Sequence, residues 1–96
     1  MSLDAFTQSV VQLAPPSGLS APLQALWWAR KGDWDKAHKL AMGGSGRDAA
    51  WVHAYLHRVE GDLPNAGYWY RQAGQPAAEG ALDAEWSAIT QALLAR

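Results

Sequence analysis

Apolar residues in this 96-residue chain recur at intervals of three and four, and no stretch alternates with period two between turn signals. The pattern predicts six short helices joined by brief links, an all-α domain. In the first, Leu3, Phe6, Val10 and Leu13 repeat at helical spacing, Ser2 can cap the start, and Pro15 and Pro16 stop it. A second runs from Ser20 to Gly32, with Pro22 in the first turn, where its missing N–H is harmless. A third is capped by Asp33 and ended by Gly43 and Gly44. The fourth runs from Asp48 to Gly61 and carries an apolar face of Trp51, Val52, Tyr55, Leu56 and Val59. The fifth starts at Asp62, with Pro64 in its first turn, and closes at Gly74 and Pro76. Gly67 inside it costs about 1 kcal/mol against alanine, which predicts a close neighbour there. In the sixth, Trp86, Ile89 and Leu93 share a face.

Two of these segments match each other. "LQALWWARKGDWDKAHKLA" and "VHAYLHRVEGDLPNAGYWY" align without gaps at an offset of 29 residues. Gly32 falls on Gly61, Asp33 on Asp62, Ala25 on Ala54 and Ala37 on Ala66. Each unit is a helix, a Gly-Asp turn and a second helix. The glycine ends the first helix in a left-handed conformation, and the aspartate caps the next. The alanines let the two antiparallel helices approach closely.

Over residues 20 to 76 this pattern resembles the tetratricopeptide repeat and its Sel1-like relatives. Ala54 fits the family's small residue in the first helix. Ala66, Tyr70 and Ala73 fit the alanine, aromatic and alanine of the second, and Pro76 resembles the closing proline. The first unit keeps Ala25, Gly32, Asp33 and Ala37, but has Ala41 where Tyr70 stands and "GGSG" in place of the proline. The offset is also shorter than the family's usual period of about 34. The resemblance implies a non-catalytic module that binds a protein or peptide in a concave groove. It divides the chain into an N-terminal capping helix (1–16), repeat one (20–46), repeat two (47–76) and a C-terminal capping helix (81–96), all one domain. In that frame Trp51, Tyr55 and Arg58, at spacings of four and three, line the groove beside Leu26 and Arg30. Aromatic and arginine side chains anchor interfaces, so the expected partner is a peptide, a helix or a second copy of the chain. The alternative is that the N-terminal helix covers this groove and the aromatics are core.

Composition narrows the remaining classes. Hydrophobic residues make up 49% and charged residues 18%, below a typical ~25%, with six tryptophans. A chain this size buries roughly 60–70% of its unfolded surface, enough for one modest core. Net charge is −1. Five of the eight basic residues lie between Arg30 and Arg47, interleaved with Asp33 and Asp35, a mixed solvated surface and no phosphate-binding stripe. No nucleic-acid partner is therefore expected. No cysteine is present, so neither disulfides nor thiolate chemistry enters. With no signal region and no apolar run near the ~20 residues a bilayer needs, the chain reads as cytoplasmic, with no membrane contact.

Candidate chemistry centres on His53, His57 and Glu60, which fall within about 60° of one helix face. Two imidazoles a turn apart with a carboxylate can hold a metal. The competing reading makes them histidines at the core edge, bonded to a tyrosine or backbone oxygen. No HExxH pattern and no serine or cysteine nucleophile motif accompanies them. The expectation is therefore no catalytic residue, metal or cofactor, with a metal-binding protein or enzyme built on His53, His57 and Glu60 as the alternative. Tyr68, Trp69 and Tyr70 are consecutive and point about 100° apart, so they form no single platform. Tyr70 is expected in the core and Trp69 or Tyr68 outside it. Of Trp27 and Trp28, Trp28 is expected to point inward.

Overall fold

The structure, a computed structural model, describes residues 1–96. It contains six helices and no strand: α1 (Leu3–Ser9), α2 (Ala21–Lys31), α3 (Trp34–Gly43), α4 (Gly46–Val59), α5 (Leu63–Ala73) and α6 (Leu82–Leu94). The all-α class read from the periodicity is thus observed. No helix is long and apolar enough to cross a membrane.

The two matched segments form two matched hairpins, α2–α3 and α4–α5. Gly32 and Gly61 take left-handed backbone angles, φ 96° and 84°. The aspartate that follows each donates its N–H to the preceding helix, Asp33 to the Trp28 carbonyl and Asp62 to the His57 carbonyl. Each carboxylate then caps the next helix, Asp33 accepting from Lys36 N and Asp62 from Asn65 N. Ala25, Ala37, Ala54 and Ala66 are all buried, as a close seam requires. The likeness stops at the hairpin. The complete chain does not show a tetratricopeptide or Sel1 repeat, because α6 turns back across the pair and packs on both α2 and α4, with α1 against α6.

One apolar core joins these layers: Phe6 from α1, Leu26 and Trp27 from α2, Val52, Tyr55 and Leu56 from α4, and Trp86, Ile89 and Leu93 from α6. Ala54, Ala66 and Tyr70 form a smaller cluster between α4 and α5. The buried indoles meet the need of a polar N–H for a partner. Trp27 Nε1 donates to Ser9 Oγ at 3.0 Å, and Trp86 Nε1 to the Leu26 carbonyl at 2.8 Å.

Several expectations are corrected. α1 stops at Ser9, so Leu13 is 90% exposed and does not continue the apolar face. Thr7 and Ser9 turn their hydroxyls back onto the Leu3 and Phe6 carbonyls, and the second of these bonds serves the last turn from within. α4 starts two residues before Asp48, which is left to pair with Arg96 at 3.0 Å. Trp27 is the inward tryptophan and Trp28 the half-buried one. Gly67 has no close neighbour: a Cβ there would meet only the Arg71 guanidinium, at 3.5 Å.

Candidate metal centre

The expected groove is filled by the chain's own C-terminal helix. Leu26 is fully buried and Tyr55 is 7% exposed. Tyr55's hydroxyl is pushed up to about 12 by burial first, then by the Glu85 and Asp83 carboxylates. Arg58 donates to Glu85 at 2.8 Å and also to the Gly80 carbonyl. The other oxygen of Glu85 accepts from Tyr70 Oη, so this buried carboxylate is held from two sides. Burial and that hydrogen bond raise the pKa of Tyr70. Arg30 pairs with Asp83 at 3.1 Å and lies 4.9 Å from the Trp86 ring centre. Trp51 remains half-buried beside the loop between α5 and α6. Four of the five expected groove residues thus hold α6 or lie beneath it. The helix that covers them is α6, not the N-terminal helix considered above.

The histidines form a different arrangement, on the other side of α4. His53 and His57 point into the seams with α3 and α5, and α3 contributes His38 between them. The chain has three histidines, and one ring nitrogen from each lies within 4.8 Å of the other two. Ring centres are separated by 4.8 Å (His38–His53), 5.2 Å (His38–His57) and 4.8 Å (His53–His57). With metal–nitrogen bonds of about 2.0–2.1 Å, imidazoles sharing a tetrahedral ion would have centres about 5 Å apart and nitrogens about 3.3 Å apart. The closest nitrogens, His38 Nε2 and His53 Nε2, are 3.1 Å apart. Bringing the third inward is a displacement of about 1.5 Å on that same geometry.

Protonation states suit ligation. A carboxylate only accepts, so His57 Nδ1 donates to Glu60 Oε1 at 2.6 Å, which leaves Nε2 to carry the lone pair. A carboxylate on the outer nitrogen is the usual way a protein orients a ligating imidazole. Burial, then the neighbouring His38 and His57, lowers the pKa of His53 to about 4. Burial and His57 also lower that of His38, against weaker opposing pulls from Glu60 and Asp35. Both are therefore neutral at pH 7, the form that binds metal.

Aromatic rings fix the imidazoles. Trp34 stacks on His38 at 4.7 Å, and its Nε1 donates to the Leu56 carbonyl at 2.7 Å. Trp69 stacks on His53 at 4.0 Å, and Tyr68 is the outward residue of its run. Next to His53 and Trp69 lies a half-open cavity of about 320 Å³, lined also by the α3–α4 loop, Arg47 and Gln72.

The sequence pointed to His53, His57 and Glu60 as a set, and the structure keeps them together. His38 was missed. The available signal was indirect: His38 directly follows Ala37, one of the matched seam alanines, but nothing in the sequence set α3 against α4. The partners of His53 and His57 are another histidine and Glu60, not the tyrosine or backbone oxygen expected. Comparison of the chain with protein-family models, curated proteins and solved structures gives no match.

Proposed function

We propose that the protein binds one divalent transition-metal ion through His38, His53 and His57, with Glu60 orienting His57. The observation that carries this reading is that all three histidines of the chain bring a ring nitrogen within 4.8 Å of one another between α3 and α4. An all-imidazole donor set suits zinc, copper, nickel or cobalt and offers nothing to magnesium or calcium, which prefer oxygen. Three protein ligands also leave a fourth position open. The peptide-binding reading has less support, since the surface it needs lies under α6.

The test is direct. Metal-free protein is titrated with zinc, nickel, cobalt and magnesium chlorides by calorimetry. One transition-metal ion per chain is expected, with no uptake of magnesium. Saturation should raise the unfolding free energy by about 2.7 kcal/mol at a hundredfold excess over Kd. His38→Ala, His53→Ala and His57→Ala should each weaken binding at least tenfold, and Glu60→Gln should weaken it less than any of these. Absence of stoichiometric uptake by folded protein would overturn the proposal.

A further inference from the structure

We infer that the fourth position of this metal site is filled by a small organic carboxylate, held in the cavity beside His53; the inference rests on the metal reading above. Three neutral imidazoles leave a dication's charge uncompensated at the metal. Glu60 is bonded to the far nitrogen of His57 and offsets that charge only through the ring. The ion therefore favours an anion as its remaining ligand. His53 belongs both to the cluster and to the wall of the 320 Å³ cavity, so the cavity shares one ligand with the metal site, while His38 and His57 lie outside its lining.

The cavity lining has the matching chemistry. No aspartate or glutamate contributes to it, although the chain has nine acidic residues. Its charged side chain is Arg47, and Gln72 adds an amide donor. The guanidinium of Arg47 reaches across to the C-terminal cap of α5, where a Cβ on Gly74 would lie 3.7 Å from Nη1. Although solvent-exposed, it lines the cavity and brings to its rim a planar fork of donors that fits a carboxylate. Trp69, stacked on His53, supplies an apolar wall for the organic part. At about 30 Å³ per water, the volume corresponds to roughly ten water molecules, room enough for a small organic acid.

The experiment uses cobalt(II)-loaded protein, whose visible absorption reports coordination number and ligand exchange. Cobalt titration comes first, in the parent and in Arg47→Ala. Acetate and benzoate are then added, with acetamide as the neutral control and azide as a small anion that needs no cradle. The expected result is a saturable spectral change with both carboxylates and none with acetamide. Arg47→Ala should raise half-saturation for the carboxylates about tenfold and leave azide nearly unaffected. Cobalt bound one per chain with a spectrum indifferent to carboxylates would overturn this inference and leave the metal reading intact. Equal carboxylate affinity in the parent and Arg47→Ala would also overturn it, because the ligand would then lie outside the cavity. Failure of cobalt to bind would overturn the metal reading itself.

Discussion

Arg58→Ala should be among the most damaging single changes in this protein, although arginine is usually a surface residue. Its guanidinium sits against Glu85 at 2.8 Å, with the arginine side chain 14% exposed and the glutamate 5%. A second guanidinium nitrogen holds the Gly80 carbonyl, fixing the approach to α6. Removing Arg58 leaves the Glu85 carboxylate buried with one neutral donor, Tyr70. An exposed pair would be worth about 0–1 kcal/mol. Orphaning a buried charge costs about 3–5 kcal/mol, a large share of the 5–15 kcal/mol that holds a small domain folded. Replacing both charges, as in Arg58→Met with Glu85→Met, removes the uncompensated charge and should restore part of the loss. The assay is urea unfolding followed by tryptophan fluorescence and far-ultraviolet circular dichroism, at pH 7 with chelator. A loss of less than about 1 kcal/mol in Arg58→Ala would refute the reasoning. So would a double variant no more stable than the single, since the damage would then come from lost packing and not from the stranded carboxylate.

Two further outcomes follow from the seam and from the histidines. Ala37→Leu and Ala66→Leu place three extra carbons in fully packed helix contacts and should each cost roughly 1–3 kcal/mol in the same urea assay; unchanged midpoints would deny the matched seams. Metal-free protein should lose stability on acidification, because His53 titrates near 4 when folded and near 6.5 when unfolded. Between those values the unfolded chain binds the extra proton, so the contribution is complete above about pH 6.5 and is lost as pH falls toward 4. The full shift corresponds to at most about 3 kcal/mol. The parent-minus-His53→Gln difference in unfolding free energy, measured from pH 7.5 to 4.5, reads this directly, and a flat difference would contradict it.

Local signals in the sequence carried most of the architecture. Ser20, Asp33 and Asp62 cap where they were expected, and Gly32 and Gly61 make the same turn 29 residues apart, because capping and left-handed glycine depend on a few adjacent residues. What failed depended on non-local packing. The stripe of Trp51, Tyr55 and Arg58 was correctly placed on one face of α4, but periodicity cannot say what lies opposite a face. The answer came from α6, whose Trp86, Glu85 and Asp83 each find a partner on α2 or α4. The choice between Trp27 and Trp28 likewise turned on Ser9, eighteen residues away, which takes the buried indole N–H. The candidate site shows the same limit. His53, His57 and Glu60 were legible because they share one helix, whereas His38 belongs to another.

The energetics of the α3–α4 seam bear on why those histidines are there. The contacts of α2 with α3 are built from alanine and aromatic packing, and a hairpin of this type needs nothing more. Between α3 and α4 the chain instead places three imidazoles, His53 stacked on His57 and His38 edge-on to both, with His53 and His57 at 5% and 6% exposure. Burial depresses the proton affinity of His53 and His38, and the polar nitrogens of all three rings need partners that apolar side chains would not. Leucine or methionine in these positions would be expected to give a more stable seam in the metal-free protein, as apolar replacements of buried polar groups often do. A bound ion reverses that balance, because it satisfies all three nitrogens at once and binds only the folded arrangement. His38→Leu together with His53→Leu therefore separates the two roles. A stability gain with chelator, combined with loss of metal uptake, marks a seam that sacrifices packing for a ligand. A large loss of stability with chelator would mean that the imidazoles are themselves the packing, and the case for an ion would fall back on the titration alone.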